Sequence, residues 1–262
     1  MRDLVITSEF TVSSILSSAW SVIQKNLIVF LGIVLLKMTT WAVLNKIFEA
    51  YKSQLIFSTV GVGDVFLIVI IIVILIITAL VNATTGSVTT CVVFELLSGE
   101  WDCVMVSIKR CAGRIPSAIF GYFICSIVLV LLWFISHFSF ILGIFAIFFI
   151  IRIIIKWFVF IPACIVENKG PIESLSRSSE LIKGKYFWNT FLVFLLTDGL
   201  SMVLYYFIVK LAIRDGIFFY IIINALIMSI PYTFTSVLPA VIYYKLRVAK
   251  ENFSLYSLYE SN

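Results

Sequence analysis

"ENKGPIESLSRSSELIKGKYFW", residues 167–188, is a polar interval between two long runs of Leu, Ile, Val and Phe. Its residue order is that of a short helix. Pro171 stands where the first helical turn has no use for an N–H, Glu173 sits at the positive helix end, and Gly184 occupies the place of a left-handed C-cap. The expected helix covers 171–183, with Ile172, Leu175 and Ile182 at helical spacing and Ser176, Arg177, Glu180 and Lys183 on the other side. An amphipathic segment of this length is expected to lie in a membrane interface plane before the chain turns into the next apolar run.

The flanking sequence decides the class. Hydrophobic residues make up 62% of the chain and charged residues 13%, against roughly 25% charged in soluble domains, so the protein is read as an integral membrane protein. An apolar layer of about 30 Å takes ~20 helical residues. Spans are therefore expected near 27–44, 65–97, 116–135, 138–166, 187–208 and 218–244. The second and fourth are overlong and should tilt or project. The opening "MRDLVITSEF" carries Asp3 and Glu9 ahead of the first apolar run, so no removable signal peptide is expected.

Lys and Arg outside the spans fix the orientation. With the N-terminus inside, the inner segments hold Arg2 and Lys25, then Lys109, Arg110 and Arg114, then Lys169, Arg177, Lys183 and Lys185, then Lys245, Arg247 and Lys250. The outer ones hold only Lys46, Lys52, Lys210 and Arg214. Both termini are thus expected in the cytoplasm. A net charge of +5 suits an anionic lipid surface and gives no reason to expect nucleic acid. The five cysteines, Cys91, Cys103, Cys111, Cys125 and Cys164, form no CxxC pair and read as reduced, small hydrophobes.

The quoted helix has a counterpart in "GEWDCVMVSIKRCAGR", 99–114. Gly99 and Gly113 are spaced like Gly170 and Gly184, Asp102 falls on Glu173, Ser107 on Ser178 and Arg114 on Lys185. A looser third copy, "VSSILSSAWSVIQK", 12–25, places Ser18 on Ser178 and Lys25 on Lys185. Each copy precedes two spans. The fold class expected is an all-α integral membrane protein of six transmembrane helices in three hairpins, each preceded by a cytoplasmic amphipathic interfacial helix. The chain reads as one transmembrane domain, 1–262, with repeat units of about 8–98, 99–169 and 170–262.

The second half also resembles a known family. Arg152, a span ending in Pro162 and Glu167, then Gly170, Ser174, Leu175, Ser178, Leu181 and Gly184 are similar to the signature of the YciC-like bacterial inner-membrane proteins. The same family includes the membrane domain attached to some glycerophosphodiester phosphodiesterases. "LPAVIYYKLRVAKEN" resembles the family's closing element through Tyr243, Leu246, Arg247 and Glu251. The resemblance implies a six-span fold in the bacterial inner membrane and no particular activity. Phosphodiesterase chemistry is not expected, because in the fused enzymes it belongs to a separate soluble domain. The one histidine, His137, falls in the short turn between spans three and four and reads as an interfacial polar residue. No Ser-His-Asp set, P-loop or metal-ligand motif is present, and no cofactor is expected. Gly61-Val62-Gly63-Asp64 is a turn signal.

Ionisable residues at bilayer depth require a partner or a function. At 1.5 Å per residue, Lys37, Arg152, Lys156 and Asp198 fall roughly 16–22 Å from the inner ends of their spans and could share one layer. Two arrangements are open. Lys156 can snorkel while Arg152 and Asp198 lock two helices together, or the group can line a cavity for an anionic head group. Beside it, Ala79, Ala83, Ser87 and Cys91 recur every four residues, a spacing that lets helices approach closely, and Thr78, Asn82, Gly86 and Thr90 run next to them. Pro162, Pro231 and Pro239 can bend spans four and six. Glu95 and Glu167 hold near-equivalent repeat positions and are expected to pair with Arg110, Arg114 or Lys185.

The function expected is a non-enzymatic bacterial inner-membrane protein that binds or organises anionic lipid or head groups. Membrane lipid is the expected partner, and a protein partner is left open. The rivals are a small-solute or lipid transporter working through the Lys37, Arg152, Lys156 and Asp198 layer, and an interaction or immunity subunit that depends on a partner.

Overall fold

Thr11 opens the first helix by accepting the Ser14 N–H on its side-chain oxygen at 3.4 Å, which satisfies one of the orphan donors of the first turn. The computed structural model describes residues 9–55, 62–99, 104–136, 139–212, 217–251 and 253. Over these it is all-helical, in the order α1 (Val12–Lys25), α2 (Leu27–Leu55), α3 (Val62–Ser98), α4 (Val104–Ala112), α5 (Ile115–Ile135), α6 (Phe140–Lys156), α7 (Phe160–Glu167), α8 (Pro171–Leu181), α9 (Lys185–Ala212) and α10 (Ile217–Glu251). His137, Asp102, Cys103 and Arg214 lie outside the described residues.

Five helical stretches among the described residues are long and apolar enough to cross a membrane: Leu27–Leu44, Ile72–Ser98, Ile115–Ile135, Ile141–Glu167 and Lys185–Leu204. The sixth expected span, 218–244, lies within the 35-residue α10. At 1.5 Å per residue α3, with 37 residues, is about 55 Å long, well beyond the apolar thickness of a bilayer. Helices α2 and α3, α5 and α6, and α9 and α10 pack pairwise, and α10 also touches α1, α2, α3, α7 and α8.

The core is assembled from small and β-branched side chains. Ala79, Ala83 and Ser87 of the four-residue stripe are buried, as are Ala118, Ala163 and Val241 on the neighbouring helices. Hydroxyls do not obstruct this packing, because Thr85, Ser87, Thr89 and Thr90 each donate back to the carbonyl four residues earlier. Two glycines sit close to α7: a Cβ at Gly86 of α3 would stand 2.9 Å from Ile161, and one at Gly121 of α5 3.1 Å from the Phe160 ring. Outward faces of α2, α5, α6 and α9 are exposed Leu, Ile, Phe and Trp, the surface a hydrocarbon solvent covers.

Three expectations change. The helix at 171–183 ends at Leu181, with Ile182 as its C-cap and Gly184 two residues further on at φ +63°. Span four is not one helix but α6 and α7, separated at residues 157–159. The cause is Pro162, which has no N–H for the carbonyl of Phe158. By contrast α10 runs through Pro231 and Pro239 as one helix. The glycine correspondence of the repeat is one of spacing and not of backbone, since Gly99 and Gly184 are left-handed whereas Gly113 and Gly170 are not.

The short helices also bury their apolar faces inside the protein. Ile15, Ala19, Val22 and Ile23 of α1 pack toward α9 and α10, Cys111 of α4 is buried in the main core, and Leu175 and Leu181 of α8 sit against α5 and α7. Only Ile172, at 72% exposure, remains outside on α8 among the apolar residues used to read its amphipathic pattern.

Candidate functional site

At the end of the bundle where α3, α7 and α10 finish, charged side chains gather under α4 and α8. Asn168, in the left-handed conformation, ends α7 and sets Glu167 at the edge of the core. The Glu167 carboxylate then accepts from Arg177 Nε on α8 at 2.9 and 3.0 Å, from Lys169 Nζ at 2.6 Å and from the Tyr243 hydroxyl on α10 at 2.7 Å. One turn along α10, Arg247 Nε lies 3.9 Å from the same carboxylate and donates to Glu251 at 2.8 Å, and Arg177 also donates to Glu251. The Arg247 guanidinium stacks on Phe253, 3.9 Å from its centroid. Tyr243, Arg247 and Glu251 are therefore an i, i+4, i+8 row on one face of α10, and Glu167 and Arg177 are what that row meets.

A smaller version joins α3 and α4. Glu95, buried near the end of α3, accepts from Ser107 at 2.5 Å and from Arg110 Nη1 at 3.1 Å, both on α4. Of the partners expected for Glu95, Arg110 is the one found. Arg114 instead donates to the Ile165 carbonyl near the end of α7. On the first unit the link is Lys245 of α10, which reaches Ser14 of α1 at 2.5 Å, so residues 14 and 245 lie at the same end of the bundle.

Ser178 joins two elements that the sequence does not connect. At the break between α6 and α7, the Phe158 and Phe160 N–H groups turn back by three residues to Ile155 and Trp157. The Lys156 carbonyl and the Val159 N–H thereby lose their helical partners. The Ser178 hydroxyl, fully buried, donates to the first at 2.7 Å and accepts from the second at 3.3 Å. Gly170 and Leu175 serve the same docking. Gly170 donates its N–H to Glu173 at 3.4 Å to start α8, and Leu175 packs with Phe160 and Cys125.

The deep polar layer does not gather as a unit. Asp198 on α9 has Lys37 on α2 as its facing charge, with Thr197 beside it at 3.5 Å, and the ammonium and carboxylate stand more than 4.0 Å apart. Arg152 is exposed and has no ion pair among the described residues, so of the two arrangements left open the bridge to Asp198 is not formed. The reason is its place on α6, whose inward stripe runs Gly143, Ala146, Ile150, Ile153 and Trp157; at 100° per residue Arg152 is turned well away from that stripe. Lys156 is half-buried at the break. Asn82 donates to Thr78 in its own helix at 2.8 Å. Among the described residues no cluster of three or more His, Cys, Asp or Glu could hold a metal ion.

No family model, curated protein or solved structure matches the chain.

The site residues that the sequence reading passed over as single features are Arg177, Lys183, Lys185 and Lys250. Lys25, Lys109, Lys183 and Lys185, at the far ends of the three short helices, are exposed and have no carboxylate within 4.0 Å among the described residues. The signal available for them was positional: each copy of the short helix closes on a basic residue.

The carboxyl of Glu251 carries a pH consequence. Burial pushes it up, but hydrogen bonds from Arg247 and Arg177 outweigh burial and hold it below its ordinary value. Its contribution is complete above the unfolded value of about 4.3 and is lost as pH falls through the lower folded value. The thermal midpoint of the native chain minus that of Glu251→Gln should stay constant from about pH 7 to 5 and shrink only below about pH 4. Shrinkage already between pH 7 and 5 would contradict the depressed carboxyl.

Proposed function

We propose that this chain is a non-enzymatic, multi-pass bacterial inner-membrane protein that binds and organises anionic lipid at its cytoplasmic face. What supports the reading is one recurring observation: exposed basic residues stand in the last turns of α1 and α4, Lys25, Lys109 and Arg110, and directly after α8, at Lys183 and Lys185. Near an anionic leaflet each such cation contributes about 1 kcal/mol. The order short, long, long occurs three times, as α1 with α2 and α3, α4 with α5 and the α6–α7 pair, and α8 with α9 and α10. It favours six spans in three hairpins with both ends of the chain in the cytoplasm. Membership of the YciC-like family belongs to the same proposal, supported by the way Glu167, Tyr243 and Arg247 converge.

Native mass spectrometry of the full chain extracted in a neutral detergent tests this. Anionic phospholipid should be retained above its share in the source membrane and should fall away as salt is raised. Retention in simple proportion to abundance sinks the reading. The facing of Lys37 and Asp198 favours a small-solute or lipid transporter as the second reading, and a flux assay in proteoliposomes separates the two.

A further inference from the structure

Where α8 hands over to α9, three lysines gather, with Lys183 and the carboxylates of Glu180 and Glu251 all within electrostatic reach of Lys250. Lys185 Nζ stands 5.3 Å and Lys250 Nζ 5.2 Å from the centroid of the same Tyr186 ring, and Lys183 is exposed in the three-residue link between α8 and α9. The nearby carboxylates are committed elsewhere, Glu180 to Arg177 at 3.5 Å and Glu251 to both Arg177 and Arg247. Lys250 does donate to the Glu180 carbonyl at 2.9 Å, which holds its ammonium in place without neutralising it. Like charges held this close in a protein favour an anion between them.

Lys185 also heads an apolar stripe. At 100° per residue, Trp188, Leu192, Leu195, Leu196 and Val203 fall on one narrow face of α9 directly below it, and all five are exposed. A cationic group at the membrane surface above a continuous apolar face matches one amphiphile. We infer that Lys183, Lys185 and Lys250 form a discrete site for the phosphate of a single anionic glycerophospholipid, whose acyl chains lie along the Trp188–Val203 face of α9. This assignment rests on the lipid-binding reading above and narrows it to one site of the several basic helix ends.

The test is native mass spectrometry of the full chain titrated with dioleoylphosphatidylglycerol, with dioleoylphosphatidylcholine as the neutral control. At about fivefold per lysine, the Lys183→Gln, Lys185→Gln, Lys250→Gln triple variant should bind the first phosphatidylglycerol roughly a hundredfold more weakly. A Lys25→Gln, Lys109→Gln variant should bind it as the native chain does. All these side chains are exposed, so both variants should keep the native thermal midpoint, which excludes unfolding as the cause. Inorganic phosphate in tenfold excess should not displace the lipid; displacement overturns the acyl-chain part of the assignment. A native preference for phosphatidylglycerol that survives in the triple variant, or is lost equally in both variants, overturns this site and leaves the general reading standing. No native preference over phosphatidylcholine overturns both.

Discussion

Glu167→Ala is expected to destabilise the protein by about 3–5 kcal/mol, the cost of removing one partner from a largely buried ion-pair network. The side chains of Glu167, Arg177 and Arg247 are 10%, 16% and 17% exposed, so the two guanidiniums that remain cannot recover their loss by hydration. Arg177 loses one of its carboxylates, keeping Glu251, Lys169 loses its hydrogen-bonded partner and the Tyr243 hydroxyl loses its acceptor. Glu167→Gln should fall between the native chain and Glu167→Ala, since the amide oxygen can still accept from Tyr243 but brings no charge. Glu95→Ala offers the contrast. Its arginine, Arg110, is 48% exposed, so water replaces much of the lost pairing, and about 1 kcal/mol is expected, from the lost hydrogen bonds of Ser107 and Arg110 to the carboxylate. Reversible unfolding of the detergent-solubilised chain would measure all three. Equal costs for Glu167→Ala and Glu95→Ala would show that the larger network is solvated like a surface pair.

The second large effect comes from a single hydroxyl. Ser178→Ala strands both the Lys156 carbonyl and the Val159 N–H, two buried backbone groups at about 1–3 kcal/mol each, so a loss of about 2–4 kcal/mol is expected. The mechanism makes a sharper demand than the magnitude. If Ser178 matters because Pro162 breaks the helix, then Pro162→Ala restores the chance of i to i−4 bonding across residues 157–159, and Ser178→Ala should cost less in that background. A coupling of about 1 kcal/mol or more is expected from the double-mutant cycle. Additive costs would mean that the break has another origin and that Ser178 merely fills space.

The regular part of this fold was legible because helical periodicity and apolar length are local properties. Five of the expected spans, the helix that follows Gly170 and the left-handed Gly184 all follow from residues within a turn or two of each other. The Tyr243, Arg247, Glu251 row was legible in the same way, as an i+4 repeat. Its partners were not, because Glu167 and Arg177 lie some seventy residues away and a repeat of four says nothing about which helix it faces. The Arg152–Asp198 bridge failed for a related reason. Equal depth along two helices does not fix rotation about their axes, and α6 turns Arg152 outward while α2 brings Lys37 to Asp198.

By itself, then, the sequence determined that the chain is helical and built for a hydrocarbon solvent, and that short helices stand between its long apolar ones. These follow from side-chain chemistry and spacing alone. Tertiary structure decided what those short helices face. Their apolar sides are consumed by α5, α7, α9 and α10, their hydroxyls and arginines repair or anchor the ends of long helices, and only the lysines and a few apolar side chains are left for the membrane surface. The physical reason is that an apolar stripe is satisfied equally by lipid and by another helix, so its partner is chosen by shape and hydrogen bonding between distant segments, which no local pattern encodes.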